Sequence, residues 1–228
     1  MKRIAEGAWL LPFSTANTVL LEDGDDLVLF DAGFADKEQV LFDAIAKLGR
    51  KPSDLRHLVF THGHPDHIGS AAAIVAATGA TTWMHAADKP LAENGGPFRP
   101  MPPSKGILNA AMYWWFWDQN ERTAPFTIDH TVKEGDVLPI AGGLPVIGTP
   151  GHCAGQVAFL WKGTRLLIAG DVFMNVFGLA DPLGFEDAEE GRRSQRKVAG
   201  LDFEAIVFGH GPAITANAVP RIRRKVGL

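Results

Sequence analysis

Short apolar runs bounded by polar residues mark the first third of the chain, at 3–10, 17–22 and 26–31. Runs this short between turn signals read as strands. Glu22-Asp23-Gly24-Asp25 supplies turn chemistry between the last two runs, so the pattern predicts a meander of hairpins. A helical repeat follows. In DKEQVLFDAIAKLG, from Asp36, the residues Val40, Leu41, Ala44, Ile45 and Leu48 share one face of a 3.6-residue repeat. Asp36 with Gln39 reads as the opening cap of this helix and Gly49 as its close. After Pro52 the apolar run HLVFT at 57–61 predicts a buried strand, followed by a polar turn and an Ala-rich run that ends at Gly79. TTWMH at 81–85 predicts the next strand and completes a βαβ-like unit.

Residues 90–106 hold five prolines and three glycines and predict no regular element, whereas KGILNAAMYWWFWDQN is helical by propensity. Strand patterns return near 136–140, 144–149, 156–161 and 165–170. A charged helix near 186–199, a strand at 205–209 and a last helix ending in RIRRK complete the chain. Mixed α/β is the predicted class.

Composition narrows the function. A length of 228 residues with 46% apolar content suits one domain, 1–228, with a substantial core. Lys plus Arg number 22 against 26 Asp plus Glu, and a net charge of −4 offers no general attraction to nucleic acid. The single cysteine, Cys153, excludes a disulfide within the chain. Glu6 and Pro12 interrupt any leader-like apolar run near the N-terminus, and no stretch of about 18 apolar residues exists to span a membrane. A cytoplasmic protein acting on a small molecule is the expectation.

The chemistry concentrates in THGHPDHIG, residues 61–69. His62 and His64, at i and i+2, project to the same side of an extended backbone and can share one cation. Asp66 and His67 follow at once and suit a second cation beside the first. A donor set of imidazole nitrogen and carboxylate oxygen fits zinc or another first-row divalent ion better than calcium. With one cysteine there is no zinc finger, and no H-E-x-x-H helix is present.

This motif resembles the signature of the metallo-β-lactamase superfamily, and the family's other motifs occur in order across residues 26–211. They are LVLFDAG with Asp31, TPGHCAGQ with His152, LIAGD with Asp171 and VFGHG with His210. The resemblance implies a four-layer αββα sandwich and two divalent metal ions, zinc first, with manganese, iron or cobalt as alternatives. It implies that His62, His64 and His152 hold one ion, that Asp66, His67 and His210 hold the other, and that Asp171 bridges them. Asp31 resembles the family's supporting carboxylate, which orients the ligand loop without touching metal. A hydroxide shared by the two ions is the implied nucleophile, and Asp66 is a candidate proton donor to the leaving group. Cys153, beside a ligand, reads as a buried spectator, and His57, His85 and His130 as packing or surface residues.

The substrate is less defined. Asp171 in A-G-D resembles the bridging carboxylate of glyoxalase II and the homoserine lactonases, which true β-lactamases of this fold usually lack. However, DVFMNVFGLADPLG departs from the Gly-Cys-Gly-Arg type segment of glyoxalase II, and Met174 stands where the lactonases carry tyrosine. The segment 86–130 is an insertion that no motif covers, and Tyr113, Trp114, Trp115, Phe116 and Trp117 point all round its helix. It suits a lid whose aromatic residues, with Met174, form a substrate pocket, or else a core plug or homodimer face. The expectation is hydrolysis of an ester, lactone or thioester with an apolar portion. The alternatives are a phosphodiester or phosphotriester hydrolase, for which Arg99, Lys105 and Arg122 flank the segment, mainly as solvated charges, and an iron-dependent sulfur dioxygenase.

Overall fold

The computed structural model describes residues 1–228, the side chain of Leu108 excepted. Two sheets face each other. Strands β1 (Lys2–Ala5), β2 (Ala8–Phe13), β3 (Ala16–Asp23), β4 (Asp26–Phe30), β5 (Leu55–Val59), β6 (Thr81–His85) and β7 (His130–Val132) form one sheet in sequence order, antiparallel as far as β4 and parallel from β4 to β7. Strands β8 (Val137–Leu138), β9 (Leu144–Gly148), β10 (Val157–Trp161), β11 (Leu166–Ile168) and β12 (Ala205–Val207) form the second sheet, ordered β12-β11-β10-β9-β8. Only β11 and β12 are parallel neighbours in it.

Both faces of each sheet are buried, and the alternation along the strands decides which layer each residue enters. Val19, Leu21, Val28, Phe30 and Val59 meet Val157, Phe159, Ile168 and Val207 between the sheets. Leu20, Leu27 and Leu29 turn outward to the helices α1 (Glu38–Lys47) and α3 (Ala71–Thr78), which contribute Leu41, Ile45 and Ile74. On the far side Ala158, Leu167 and Ile206 meet α6 (Ala188–Ala199) and α7 (Ala218–Val226) through Val198 and Ile222. The result is the expected four layers, αββα. Each of the large side chains fully removed from water here, such as Phe30 and Phe159, contributes about 1.5–3 kcal/mol.

Several element boundaries differ from the sequence pattern. The run 3–10 is two strands, because Gly7 turns the chain with φ +64° and folds β2 back on β1. Asp36 does not cap α1: it adopts φ +59°, Lys37 holds the cap position without a side-chain bond, and Gln39 Nε2 donates instead to Asp43 at 2.8 Å. Gly49 does close that helix, with φ +71°. The Ala-rich run divides into α2 (Pro65–Ile68) and α3. Within 90–106, where no element was expected, α4 (Lys89–Asn94) forms, because Pro90 falls in its first turn and Leu91 and Ala92 anchor it in the core. The aromatic segment is helical as α5 (Ile107–Phe116). Among the described residues no helix is long and apolar enough to cross a membrane.

Candidate metal centre

Strands β4 and β5 run parallel, and β9, β11 and β12 share one direction in the other sheet. Their C-terminal ends deliver Asp31, the His62–His67 turn, His152, Asp171 and His210. The sheets are stitched together at this end: the Asn17 N–H donates to the Gly209 carbonyl at 2.7 Å and Ala16 bridges His210. Side chains that lie more than a hundred residues apart in sequence thus converge.

Three overlapping groups of potential ligand atoms lie within 4.8 Å of one another: His62, His64 and His152; His62, His67 and Asp171; and Asp66, His67 and His210. Asp171 sits between them, 3.5 Å from His67 Nε2, 3.5 Å from His152 Nε2 and 3.3 Å from His210 Nε2. Asp66 lies 3.1 Å from His210 Nε2 and 3.8 Å from His67 Nε2. Ligand atoms bound at about 2.0–2.1 Å to a tetrahedral ion stand roughly 3.3 Å apart, so these spacings suit shared cations. The hydrogen bonding agrees. Nε2 of His62, His64, His67 and His152 and Oδ1 of Asp171 are buried without a hydrogen-bond partner. Unpaired polar atoms are costly inside a protein, and imidazole nitrogens and a carboxylate oxygen gathered in this way fit a cation.

Four of the remaining imidazole nitrogens are tied down. His67 Nδ1–H donates to Asp31 at 2.9 Å, His152 Nδ1–H to the Gly184 carbonyl at 2.8 Å, and His210 Nδ1–H to the Thr15 carbonyl at 3.0 Å. Thr61 donates its N–H at 2.7 Å and its hydroxyl at 2.8 Å to Asp31, so that hydroxyl is left to accept from His62 Nδ1–H at 3.0 Å. Each of these four rings is held with Nε2 toward the cluster. Gly209 makes the close approach possible, since a Cβ there would lie 1.9 Å from Asp171 Oδ1.

Charge is shared unevenly. Burial, then the neighbouring imidazoles, push His62 well below the usual histidine range, and burial lowers His64 and His152 as well. Burial also acts against charge on His67, but the carboxylates of Asp66, Asp31 and Asp171 outweigh it and raise His67 to about 9. His210 is raised well above its ordinary value by Asp171 and Asp66 in the same way. Burial resists ionisation of Asp66 and Asp171, yet the histidines hold both well below the carboxylate range.

A network the sequence did not suggest braces the ligand loops. Asp88, fully buried, accepts from the Gly63 N–H at 2.8 Å and the Gly155 N–H at 3.0 Å, and Cys153 Sγ lies 3.3 Å from it. Arg99 pairs with Asp88 and, at 2.7 Å, with Glu186, whose other oxygen accepts from the Ala154 N–H at 2.8 Å. Asp88 therefore joins the His62–His64 turn to the His152 turn, and Arg99 is an internal ion pair rather than a solvated charge. Cys153 is buried, with its thiol pushed far up by burial and then by Asp88. His57 and His130 pack on Trp83, with ring centroids 6.0 and 4.2 Å away.

Beside the cluster opens a mainly apolar cavity of about 200 Å³ that reaches Asp66 and His210. Of the aromatic residues singled out in the sequence, Phe116 and Trp117 line it, with Met174, while Tyr113 is buried and does not. Trp114 and Trp115 are 78% and 84% exposed and point away from it. Met112, Phe34, Phe177 and Glu121 complete much of the wall, none of them marked by a sequence motif. Trp117 also stacks edge-on against His64 at 4.8 Å.

A model of the metallo-beta-lactamase superfamily matches residues 11–210. A probable metallo-hydrolase of Bacillus subtilis is 27% identical, covering 93% of this chain and 87% of its own length. A hydroxyacylglutathione hydrolase of Fuscovulum blasticum is 30% identical, over 68% of this chain and 49% of its own. Among solved structures, a metallo-beta-lactamase from Novosphingobium pentaromativorans superposes with a TM-score of 0.75 at 22% identity, covering 99% of this chain and 86% of that one, a likeness of fold.

Proposed function

The chain belongs to the metallo-beta-lactamase superfamily, and from that premise we propose that it is a dinuclear metal-dependent hydrolase of esters, lactones or thioesters with an apolar portion. The observation that carries the reading is the cluster of buried, unpartnered ligand atoms opening onto an apolar cavity. His62, His64 and His152 would hold one ion, Asp66, His67 and His210 the second, with Asp171 between them. Divalent ions held there supply Lewis acidity and lower the pKa of water from about 15.7 to about 7.

The chain itself does the positioning. The Nδ1 anchors on Asp31, Thr61, Gly184 and Thr15 fix the imidazoles before substrate arrives, so little reorganisation is needed during reaction. Phe116, Trp117 and Met174 receive the apolar portion, exclude water and direct the carbonyl toward the cluster. Asp66 belongs both to the ligand group and to the cavity wall and is held ionised by His67 and His210, which suits a carboxylate that takes a proton from the attacking water and passes it to the leaving group. The thioester option draws support from the hydroxyacylglutathione hydrolase among the relatives. Phosphate esters are disfavoured, because Arg99 is engaged by Asp88 and Glu186, and no lysine or arginine lines the cavity among the described residues.

Assaying apolar esters, lactones, thioesters and aryl phosphates on zinc- and manganese-loaded protein tests the reading. Hydrolysis of the acyl substrates is expected, with both activity and metal content falling in His62→Ala. A variant that kept both would refute the assignment.

A further inference from the structure

The cavity wall combines rings, those of Phe34, Phe116, Trp117 and Phe177, with two carboxylates, Asp66 and Glu121. Asp66 has partners in His210 and His67. Glu121 is half-buried, and what acts on its carboxyl is burial first and then the like charges of Asp66 and Asp118, all raising it. Its neighbour Arg122 does not answer that charge, because the Arg122 guanidinium donates to the backbone carbonyls of Asn120 at 3.2 Å and Glu121 at 3.3 Å. A carboxylate in an apolar wall without a counter-ion is a cost to folding. As a structural element it is a mismatch; as half of a binding site it is complete once a cation arrives from outside. Aromatic rings present their negative faces to the same kind of group.

We propose that Glu121 is a specificity-determining residue, and that with the surrounding rings it selects apolar substrates whose end remote from the scissile bond is an amine or quaternary ammonium, rejecting those whose remote end is anionic. The inference rests on the reading that this cavity receives the hydrolase's substrate. It assigns the two ends opposite polarity: the acyl carbonyl faces the His and Asp cluster, and the remote cation faces Glu121. An anion at that remote end would meet Glu121 with no lysine or arginine in the wall among the described residues to compensate, since the one basic ring there, His210, is already engaged by Asp66 and Asp171.

Three acids with a common carboxylate head and different tails test the proposal: hexanoate, adipate and 6-(trimethylammonio)hexanoate. They are titrated into the zinc-loaded protein while tryptophan emission is followed, since Trp117 lines the cavity. The wild type should bind the ammonium acid roughly tenfold or more tightly than adipate. Glu121→Gln should bring the two within about twofold, and Glu121→Lys should invert the order. Equal affinities in the wild type, no binding of any of the three, or a preference that survives Glu121→Gln at unchanged zinc content would overturn the proposal. Hydrolysis of a neutral hexanoyl ester, measured in parallel, reports separately on the activity. A chain that shows the ligand preference without hydrolysing the ester loses the hydrolase reading alone, and one that hydrolyses it without the preference loses this inference alone.

Discussion

The Asp88 carboxylate takes hydrogen bonds from Gly63 and Gly155 and the charge of Arg99, so one side chain connects the loops that carry His62, His64 and His152. Asp88→Ala strands the buried Gly63 and Gly155 N–H donors and leaves Arg99 with Glu186 as its one carboxylate, which predicts a loss of about 2–4 kcal/mol in chemical denaturation of the zinc-loaded protein. A loss under about 1 kcal/mol would show that the brace is dispensable. His67 allows a prediction in pH. Its folded pKa of about 9 lies above the ordinary 6.5, so in the metal-free protein it contributes stability that is complete below pH 6.5 and lost as pH rises through about 9. A cation must displace that proton, so zinc affinity should climb from pH 7 to 9 while the melting temperature of the metal-free chain falls, with protons released on zinc uptake at pH 7. Titration in buffers of different ionisation enthalpy reads that release; none at pH 7 would contradict the charge assignment. At this scale the proposed ligands stood out in the sequence because four of them crowd into six positions. Asp88 was not, because HAADKP has no motif and its partners lie 25 and 67 residues away.

At the scale of elements, α5 divides its aromatic residues by direction. Trp114 and Trp115 face solvent, Tyr113 is buried, and Phe116 and Trp117 face the cavity. Trp114→Ala with Trp115→Ala should therefore leave zinc content unchanged and stability within about 0.5 kcal/mol. Phe116→Ala should raise KM for apolar acyl substrates roughly fivefold, about 1 kcal/mol of lost contact. Steady-state kinetics and thermal melts on the two variants check this, and the reverse pattern would place the substrate on the other side of the helix. Helix propensity made α5 visible but not its facing, because five consecutive rings give a helix no apolar side. The same limit hid the hairpin at Gly7, where one apolar run reads as a single strand until the turn divides it.

Across the whole molecule the proposed ligands come from both halves of the sandwich. Asp66 and the three histidines at 62, 64 and 67 follow the seven-stranded sheet, while His152, Asp171 and His210 follow the five-stranded one. A cation held there would tie the two halves together and so couple folding to metal binding. The layers were legible through the resemblance that the five ordered motifs carry, whereas the pattern of apolar residues by itself predicts only a mixed α/β chain. The cavity proposed to receive the substrate was not legible, since Glu121, Phe34 and Phe177 come beside Asp66 only in the folded chain. The central claim is a pair of cations serving hydrolysis. The most direct test is elemental analysis of the purified chain, combined with ester, lactone and thioester hydrolysis before and after chelation and after zinc is restored. The account predicts two divalent ions per chain, with hydrolysis lost and recovered in step with them. One iron per chain with oxygen uptake, or hydrolysis that survives complete metal removal, would contradict it.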